Sequence, residues 1–172
     1  MEWGHSFLAK KEGELDLAFA SEIERSEEFR SWVLKQTKFN NDATTAKLLH
    51  EEQGKDRLVW WKHWWCRVPE LGEERETDIF LVFEIPDTNK TRFALHIENK
   101  KGNGRFLEGQ PEGYEPRARF MMNEEKYLSY SDFETILIAP LSFKDKNEDQ
   151  CEIFDTYISY EDIARFIPYF LD

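Results

Sequence analysis

The sequence lacks features that several protein classes require. It has only two cysteines, Cys66 and Cys151, whose spacing matches no metal or redox motif, and it has no Gly-rich phosphate-binding loop. No apolar run approaches the length of a membrane span, about 18 residues, and the opening stretch MEWGHSFLAKKEGE lacks the basic and then apolar pattern of a secretion signal. We therefore expect two buried thiols rather than a disulfide, and a cytoplasmic location.

Positive charge is also scarce. The chain has 23 basic residues against 35 acidic ones, which gives a net charge of −12. Proteins that bind DNA tightly on their own neutralise phosphates with lysine and arginine, so this balance argues against such binding. An acidic protein can still act on nucleic acid if a metal ion supplies the affinity for phosphate, or if a protein partner recruits it.

Core-forming residues, in contrast, are abundant. Hydrophobic residues make up 40% and aromatic residues 15% of the chain, which indicates one globular domain over 1–172. It divides into a helical N-terminal segment, 1–56, and a sheet core with helices, 57–172. Helical patterns start at Leu15 and after two N-cap serines, Ser26 and Ser159. Strand-like runs lie at 58–68, 78–85, 91–100, 135–139 and 153–158, with a helix over 116–130. This order predicts an α/β fold, a mixed β-sheet of about five strands flanked by helices.

Two carboxylates are expected to meet at one edge of this sheet. Asp78 begins one strand just after a turn, and Glu98 lies near the end of the next strand, TRFALHIENK. In an antiparallel hairpin these positions lie side by side, and Glu98 and Lys100 share a face because strand side chains alternate. Two carboxylates and a backbone carbonyl suit Mg²⁺ or Mn²⁺, and a neighbouring lysine can orient a water for phosphodiester hydrolysis.

The pair Glu98 and Lys100 also has a second interpretation. A glutamate and a lysine at a strand end can form a surface ion pair, which contributes about 0–1 kcal/mol. The same spacing occurs again at Glu124 and Lys126, in a highly charged stretch with the character of solvated surface. Both interpretations of Glu98 and Lys100 stay open from the sequence.

A third acid lies on the first predicted helix. At about 100° per residue, Leu15, Ala18 and Phe19 define an apolar stripe, and Glu22 falls at its centre. A carboxylate that faces a core is costly unless it is paired, hydrogen-bonded or bound to metal. Glu22 is therefore expected either to join a metal site or to bond a backbone amide at the helix end.

Together these residues resemble the PD-(D/E)xK nuclease superfamily. The family pattern is an acid on a first helix, an aspartate after a turn and a (D/E)-x-K at a strand end, and its RecB-like branch adds Gln-x-x-x-Tyr. The matching residues here, in the same order, are Glu22, Asp78, Glu98-Asn99-Lys100, and the pair Gln110 and Tyr114. The family often has proline before the aspartate, whereas Thr77 precedes Asp78 here.

The resemblance implies a divalent-metal-dependent nuclease that acts on DNA and has a restriction-endonuclease-like α/β/α core. It implies that Mg²⁺ or Mn²⁺ is held by Asp78, Glu98, the Asn99 carbonyl and Glu22, with Lys100 positioning the attacking water. It also implies that Gln110 and Tyr114 orient the substrate or brace the catalytic lysine. Independently of the family, the one basic-leaning region of the chain adjoins this site. Its residues, Arg117 among them, are expected either to contact substrate phosphates or to be ordinary surface charge. The other basic residues of that region are Lys101, Arg105 and Arg119.

Pro116 bears on the position of the Gln-Tyr motif. Proline is disfavoured inside a helix because it lacks an N–H and its ring clashes with the preceding turn. Either Gln110 and Tyr114 belong to a separate short turn, or the main helix begins with Pro116 as its first residue.

The sequence is compatible with two other functions, and it contains one further motif, an aromatic run. The chain could be an inactive family member that serves as a protein-interaction module, although the acids and the lysine are all present, or an acidic protein that mimics nucleic acid. The aromatic run WWKHWWC, 60–66, could stack bases. An aromatic strand that packs on both faces is the preferred interpretation of that run.

Overall fold

The computed structural model of the protein describes residues 10–171. Most of the N-terminal stretch discussed above, together with Asp172, lies outside the described residues. The helices are α1 (Glu12–Arg25), α2 (Glu27–Lys35), α3 (His50–Gly54), α4 (Gln110–Met121), α5 (Leu141–Lys146), α6 (Glu148–Cys151) and α7 (Tyr160–Ile163). The strands are β1 (Lys47–Leu48), β2 (Trp64–Arg67), β3 (Glu74–Thr77), β4 (Ile79–Glu84), β5 (Arg92–Asn99), β6 (Asp132–Ala139) and β7 (Thr156–Ser159).

A mixed five-stranded sheet forms the centre of the molecule, in the order β1-β4-β5-β6-β7. The pairs β1–β4 and β4–β5 are antiparallel, and β5–β6 and β6–β7 are parallel. Helices flank this sheet, so the predicted α/β fold is confirmed. The N-cap predictions are also confirmed, because Ser26 Oγ accepts from the Phe29 N–H at 3.1 Å and Ser159 Oγ from the Asp162 N–H at 3.0 Å.

The two faces of β5 pack against different helices. Leu95 and Ile97 contribute to the larger core, which contains Phe19 of α1 and Val33 of α2. The alternate residue Ala94 belongs to a second core with Ala118 of α4. This alternation decides which side chains of β5 face α1 and which face α4. Within residues 10–171, no helix is both long and apolar enough to cross a membrane.

The predicted strand over 58–68 is wrong for its first half. Only Trp64–Arg67 is extended, and this strand pairs with β3 as a separate two-stranded sheet. His63 has φ 64°, a left-handed conformation that an extended strand cannot contain, so β2 begins directly after it. β1 also lies within the segment 1–56, which was expected to be helical.

Both expectations for Pro116 are wrong, because α4 runs through it from Gln110 to Met121. Pro116 cannot donate to the carbonyl of Glu112, four residues earlier. Glu112 is exposed, so water can take the lost hydrogen bond, while the opposite side of the helix is buried at Tyr114, Arg117 and Ala118. The helix also stops earlier than predicted, since Asn123 has φ 68°.

Candidate active site

Glu98 and Lys100 form a buried ion pair at the C-terminal end of β5. Lys100 Nζ lies 3.1 Å from Glu98 Oε1, and the two side chains are 9% and 1% exposed. The geometry is therefore not that of the surface ion pair that the sequence left open. Removing two opposite charges from water is costly unless further hydrogen bonds satisfy them, so the neighbours of this pair determine what it can do.

Asp78 lies at the bend between β3 and β4, beside the end of β5. Ile79 pairs with Ile97 in the antiparallel register, so the next positions in that register are Asp78 and Glu98. Asp78 Oδ2 accepts a hydrogen bond of 3.0 Å from the Asn99 backbone N–H, which holds the carboxylate against β5. The structure thus brings Asp78 and Glu98 to one edge of the sheet.

Both residues of the Gln-x-x-x-Tyr motif bind Glu98. Gln110 Nε2 donates to Glu98 Oε1 over 2.9 Å, and the Tyr114 hydroxyl donates to Glu98 Oε2. They reach the same carboxylate because residues four apart lie on one face of a helix, and α4 begins at Gln110. A carboxylate has about four acceptor positions. Lys100, Gln110 and Tyr114 therefore take three, which leaves one on Oε2.

The first helix brings Asp16, and not Glu22, to this cluster. Asp16 Oδ1 accepts a hydrogen bond of 2.7 Å from Asn99 Nδ2. Glu22 instead forms an ion pair of 2.6 Å with Arg25 on the same helix. Six residues separate the two acids, which is about 9 Å along a helix. The structure thus places Asp16 where the sequence predicted Glu22.

The buried face of α1 explains this difference. Its centre lies about 90° around the helix from Glu22, at about 100° per residue. Ala18, which helped to define the predicted stripe, is only partly buried. A stripe defined by apolar residues alone omits a buried aspartate. The sequence signal for Asp16 is its helical spacing, which places it on the same face as Leu15, Phe19, Ala20 and Ile23. The buried residues of α1 are Leu15, Asp16, Phe19, Ala20 and Ile23.

The Asn99 side chain joins the first and last helices to the site. It is fully buried, and Nδ2 donates to Asp16 while the Tyr160 hydroxyl of α7 donates to Oδ1. Because side chains alternate along β5, Asn99 faces the α1 layer whereas Glu98 and Lys100 face α4. The backbone of Asn99, whose carbonyl the family resemblance implies as a metal ligand, is fixed between the two layers.

Burial raises the pKa values of all three acids, and repulsion from neighbouring carboxylates adds to it. Burial is the largest cause for Asp78, whose pKa lies well above its usual value, and the charges of Glu98 and Asp16 add to it. Burial also raises the pKa of Glu98, although Lys100 and the Tyr114 hydrogen bond oppose it. The pKa of Asp16 rises to about 7 because burial outweighs its hydrogen bond from Asn99. Such a cluster favours a bound proton or cation over unpaired negative charge.

A buried chain of hydrogen bonds holds Arg117 in place. Its Nε donates to Thr77 Oγ1 over 3.3 Å, and Thr77 Oγ1 lies 3.0 Å from His96 Nδ1. His96 Nε2 lies 3.1 Å from the Tyr130 hydroxyl, which donates to the Ala118 carbonyl. His96 therefore donates from Nε2 and accepts at Nδ1. Burial lowers the pKa of His96 well below the usual value, which keeps the imidazole neutral, as this series of hydrogen bonds requires.

Arg117 keeps one free nitrogen at the site. The side chain is 2% exposed, and its guanidinium carbon lies 4.2 Å from the centre of the Tyr114 ring. Among residues 10–171, Nη2 has no hydrogen-bond partner. Arg119, two residues further along α4, is exposed and pairs with Glu115 at 2.9 Å. The two arginines therefore differ in role, and of the two only Arg117 has a buried donor without a partner.

An open cleft of about 660 Å³ leads to the cluster. This volume lies within the range of ligand-binding sites, about 300–1,000 Å³. Asp78, Gln110, Tyr114 and Arg117 line the cleft from the sheet and from α4. The hairpin of β2 and β3 contributes residues from both of its strands, among them Trp65, Arg67, Glu74 and Glu76. Arg117 also lines an adjoining cavity of about 420 Å³.

The donor set fits a magnesium-like ion better than zinc. Among residues 10–171, no group of three or more His, Cys, Asp or Glu side chains is arranged to hold a metal ion. Mg²⁺ is usually held by one or two carboxylates together with water and substrate phosphate oxygens, whereas zinc sites take three or four protein ligands. Asp78 and Glu98 supply two carboxylates with raised pKa values, and Asp78 lines the open cleft.

Neither a family model, nor a curated protein sequence, nor a solved structure matches the chain. Function is therefore inferred from the geometry of the site.

Proposed function

We propose that the protein is a divalent-metal-dependent nuclease of the PD-(D/E)xK type that hydrolyses phosphodiester bonds in DNA. One observation carries this proposal. Lys100 and Glu98 form a buried ion pair beside Asp78, and Asp78 lines an open cleft. A fold does not maintain repelling buried acids beside a cleft without cost, and such groups are typical of functional sites.

The residues of the site have separate roles in this proposal. Lys100 places its ammonium where it can orient a water and offset the charge that develops on a phosphoryl oxygen. Gln110 and Tyr114 hold both oxygens of Glu98, so that the carboxylate keeps one orientation. Asp16 holds the Asn99 side chain and thereby the backbone at the end of β5.

Asp78, Glu98 and the Asn99 carbonyl would hold Mg²⁺ or Mn²⁺. A bound ion supplies Lewis acidity and lowers the pKa of a water ligand. Two side chains could coordinate this ion. They are Glu98, through the free acceptor position on Oε2, and Asp78, through its carboxylate. The scarcity of basic residues is consistent with an enzyme whose affinity for phosphate depends on metal.

Cleavage assays with paired variants test the proposal. Labelled single- and double-stranded DNA is incubated with Mg²⁺ or Mn²⁺ and wild type, Lys100→Ala or Glu98→Gln. The control is the double variant Glu124→Gln with Lys126→Ala, which removes an exposed Glu-x-Lys of the same spacing. We expect cleavage that needs metal, is lost by about 10²-fold or more in both site variants, and is retained in the control.

The other outcomes point elsewhere. Activity that survives in both site variants would rule out this site. If wild type neither cleaves DNA nor takes up Mn²⁺ in a calorimetric titration, an interaction module or a nucleic-acid mimic becomes the better explanation. Metal uptake without DNA cleavage would direct the search to RNA substrates or to a recruiting protein partner.

A further inference from the structure

One tryptophan of the aromatic run stands in the cleft, unlike its neighbours. Trp64 and Cys66 of β2 face inward and are buried, whereas Trp65 and Arg67 face outward and line the cleft. Trp65 is 45% exposed. The preferred sequence interpretation, a strand packed on both faces, therefore does not hold for Trp65. An exposed indole that lines a cleft is a common platform for base stacking.

Arg117 gives the same cleft an unsatisfied cationic donor. Its Nε donates to Thr77 Oγ1 and its guanidinium lies over the ring of Tyr114, and these two contacts hold the group in place. A buried N–H without a partner is destabilising, so a ligand oxygen at that position would be stabilising. The other arginines of the cleft differ. Arg75, for example, is already paired with Glu73 at 2.7 Å.

We infer that the cleft takes a single strand of nucleic acid, with one unpaired base stacked on Trp65 and a phosphate oxygen bound by Arg117 Nη2. This inference rests on the proposed nuclease function and assigns its substrate class. Stacking on an indole requires a base whose face is free, which a continuous duplex does not offer.

Binding measurements separate this inference from catalysis. Fluorescence anisotropy is measured in Ca²⁺ with a labelled 12-nucleotide oligo-dT, the same length of oligo-U, and a 12-base-pair duplex. Trp65→Ala removes the platform and Trp65→Phe retains an aromatic face. Phe120→Ala is the matched control, because Phe120 is exposed to a similar extent, 47%, and lies on α4.

We expect wild type to bind single strands at least tenfold more tightly than the duplex. Trp65→Ala should weaken single-strand binding about tenfold, since stacking contributes about 1–3 kcal/mol per base. Trp65→Phe should retain most of the affinity and Phe120→Ala all of it. Single strands should quench wild-type tryptophan fluorescence more than that of Trp65→Phe, a change that a purely structural role would not produce.

Arg117 is tested in the same assay. Arg117→Gln should weaken single-strand binding and reduce the slope of log affinity against log salt by about one. Arg165→Gln, at an exposed arginine outside the cleft lining, is the charge control. Circular dichroism identifies any variant that fails to fold. If Arg117→Gln does not fold, Arg117→Lys replaces it in the assay and should also weaken binding, because lysine keeps the charge but cannot reproduce the fork of donors.

Each remaining result has one meaning. Equal or tighter binding of the duplex, or unchanged single-strand binding in Trp65→Ala, would overturn the inference, and DNA cleavage by wild type would then leave the nuclease proposal standing. Single-strand binding that depends on Trp65, together with no metal uptake and no cleavage of DNA or RNA, would uphold the inference and contradict the nuclease proposal. The oligo-dT and oligo-U arms distinguish DNA from RNA.

Discussion

Replacing Asp16 by asparagine tests whether the buried acids of the site destabilise the fold when they ionise. Asp16 is 7% exposed, and its pKa is about 7 against a usual value of 3.8. Asparagine has nearly the same shape, and its Oδ1 can still accept the hydrogen bond from Asn99 Nδ2. The substitution therefore removes the charge and retains the hydrogen bond.

The magnitude follows from the pKa of Asp16. Because the folded state binds this proton more tightly than the unfolded chain, stability falls as pH rises from about 4 to about 7. A shift of about 3 units corresponds to about 4 kcal/mol lost above that window. Asp16→Asn avoids the loss, so it should exceed wild type in free energy of unfolding by about 1–2 kcal/mol at pH 5 and by up to about 4 kcal/mol at pH 8.

Urea unfolding at pH 5, 6, 7 and 8, in EDTA, measures this difference. Glu28→Gln, at an exposed acid of α2, is the control and should follow the wild-type curve. Adding Mg²⁺ at pH 8 should stabilise wild type, since a cation bound by ionised acids favours the folded state. The reasoning is refuted if the Asp16→Asn curve runs parallel to wild type, or if the variant is the less stable protein at pH 8.

Two further predictions concern α4. Tyr114→Phe removes the hydroxyl that donates to Glu98 Oε2, so urea unfolding should show a loss of about 1–3 kcal/mol. DNA cleavage should fall with it, and unchanged stability and activity would exclude the bracing of Glu98. Pro116→Ala restores an N–H opposite the Glu112 carbonyl and should raise the free energy of unfolding by about 1–2 kcal/mol. The gain is smaller than the full cost of a helical proline because alanine also increases the conformational entropy of the unfolded chain. A lower midpoint in urea would mean that the proline ring itself packs favourably.

The arrangement of Asp78 and Glu98 could be predicted because it depends only on local rules. Strand alternation and the antiparallel hairpin place both residues at one edge, and the observed pairing of Ile79 with Ile97 continues to that position. The mixed sheet could be predicted from hydrophobic runs and turns for the same reason. Neither conclusion needs knowledge of contacts between distant parts of the chain.

The remaining features depend on such contacts. The burial of Lys100 and Glu98 results from α4 covering the end of β5, which no local pattern encodes. The uninterrupted helix at Pro116 depends on the packing of its other side, which outweighs one lost hydrogen bond. Asp16 was missed because a polar residue at a core position looks, in sequence, like a surface residue.

The acidic balance of the chain and the composition of the site are physically connected. Three acids with raised pKa values destabilise the fold at neutral pH, and Lys100 neutralises only part of their charge. A divalent cation would remove that repulsion and at the same time provide the attraction for phosphate that few basic residues supply. Arg117 would then need to contribute only one directed hydrogen bond. If the proposed function holds, substrate affinity would be conditional on metal, and binding of nucleic acid would be weak until the cation is present.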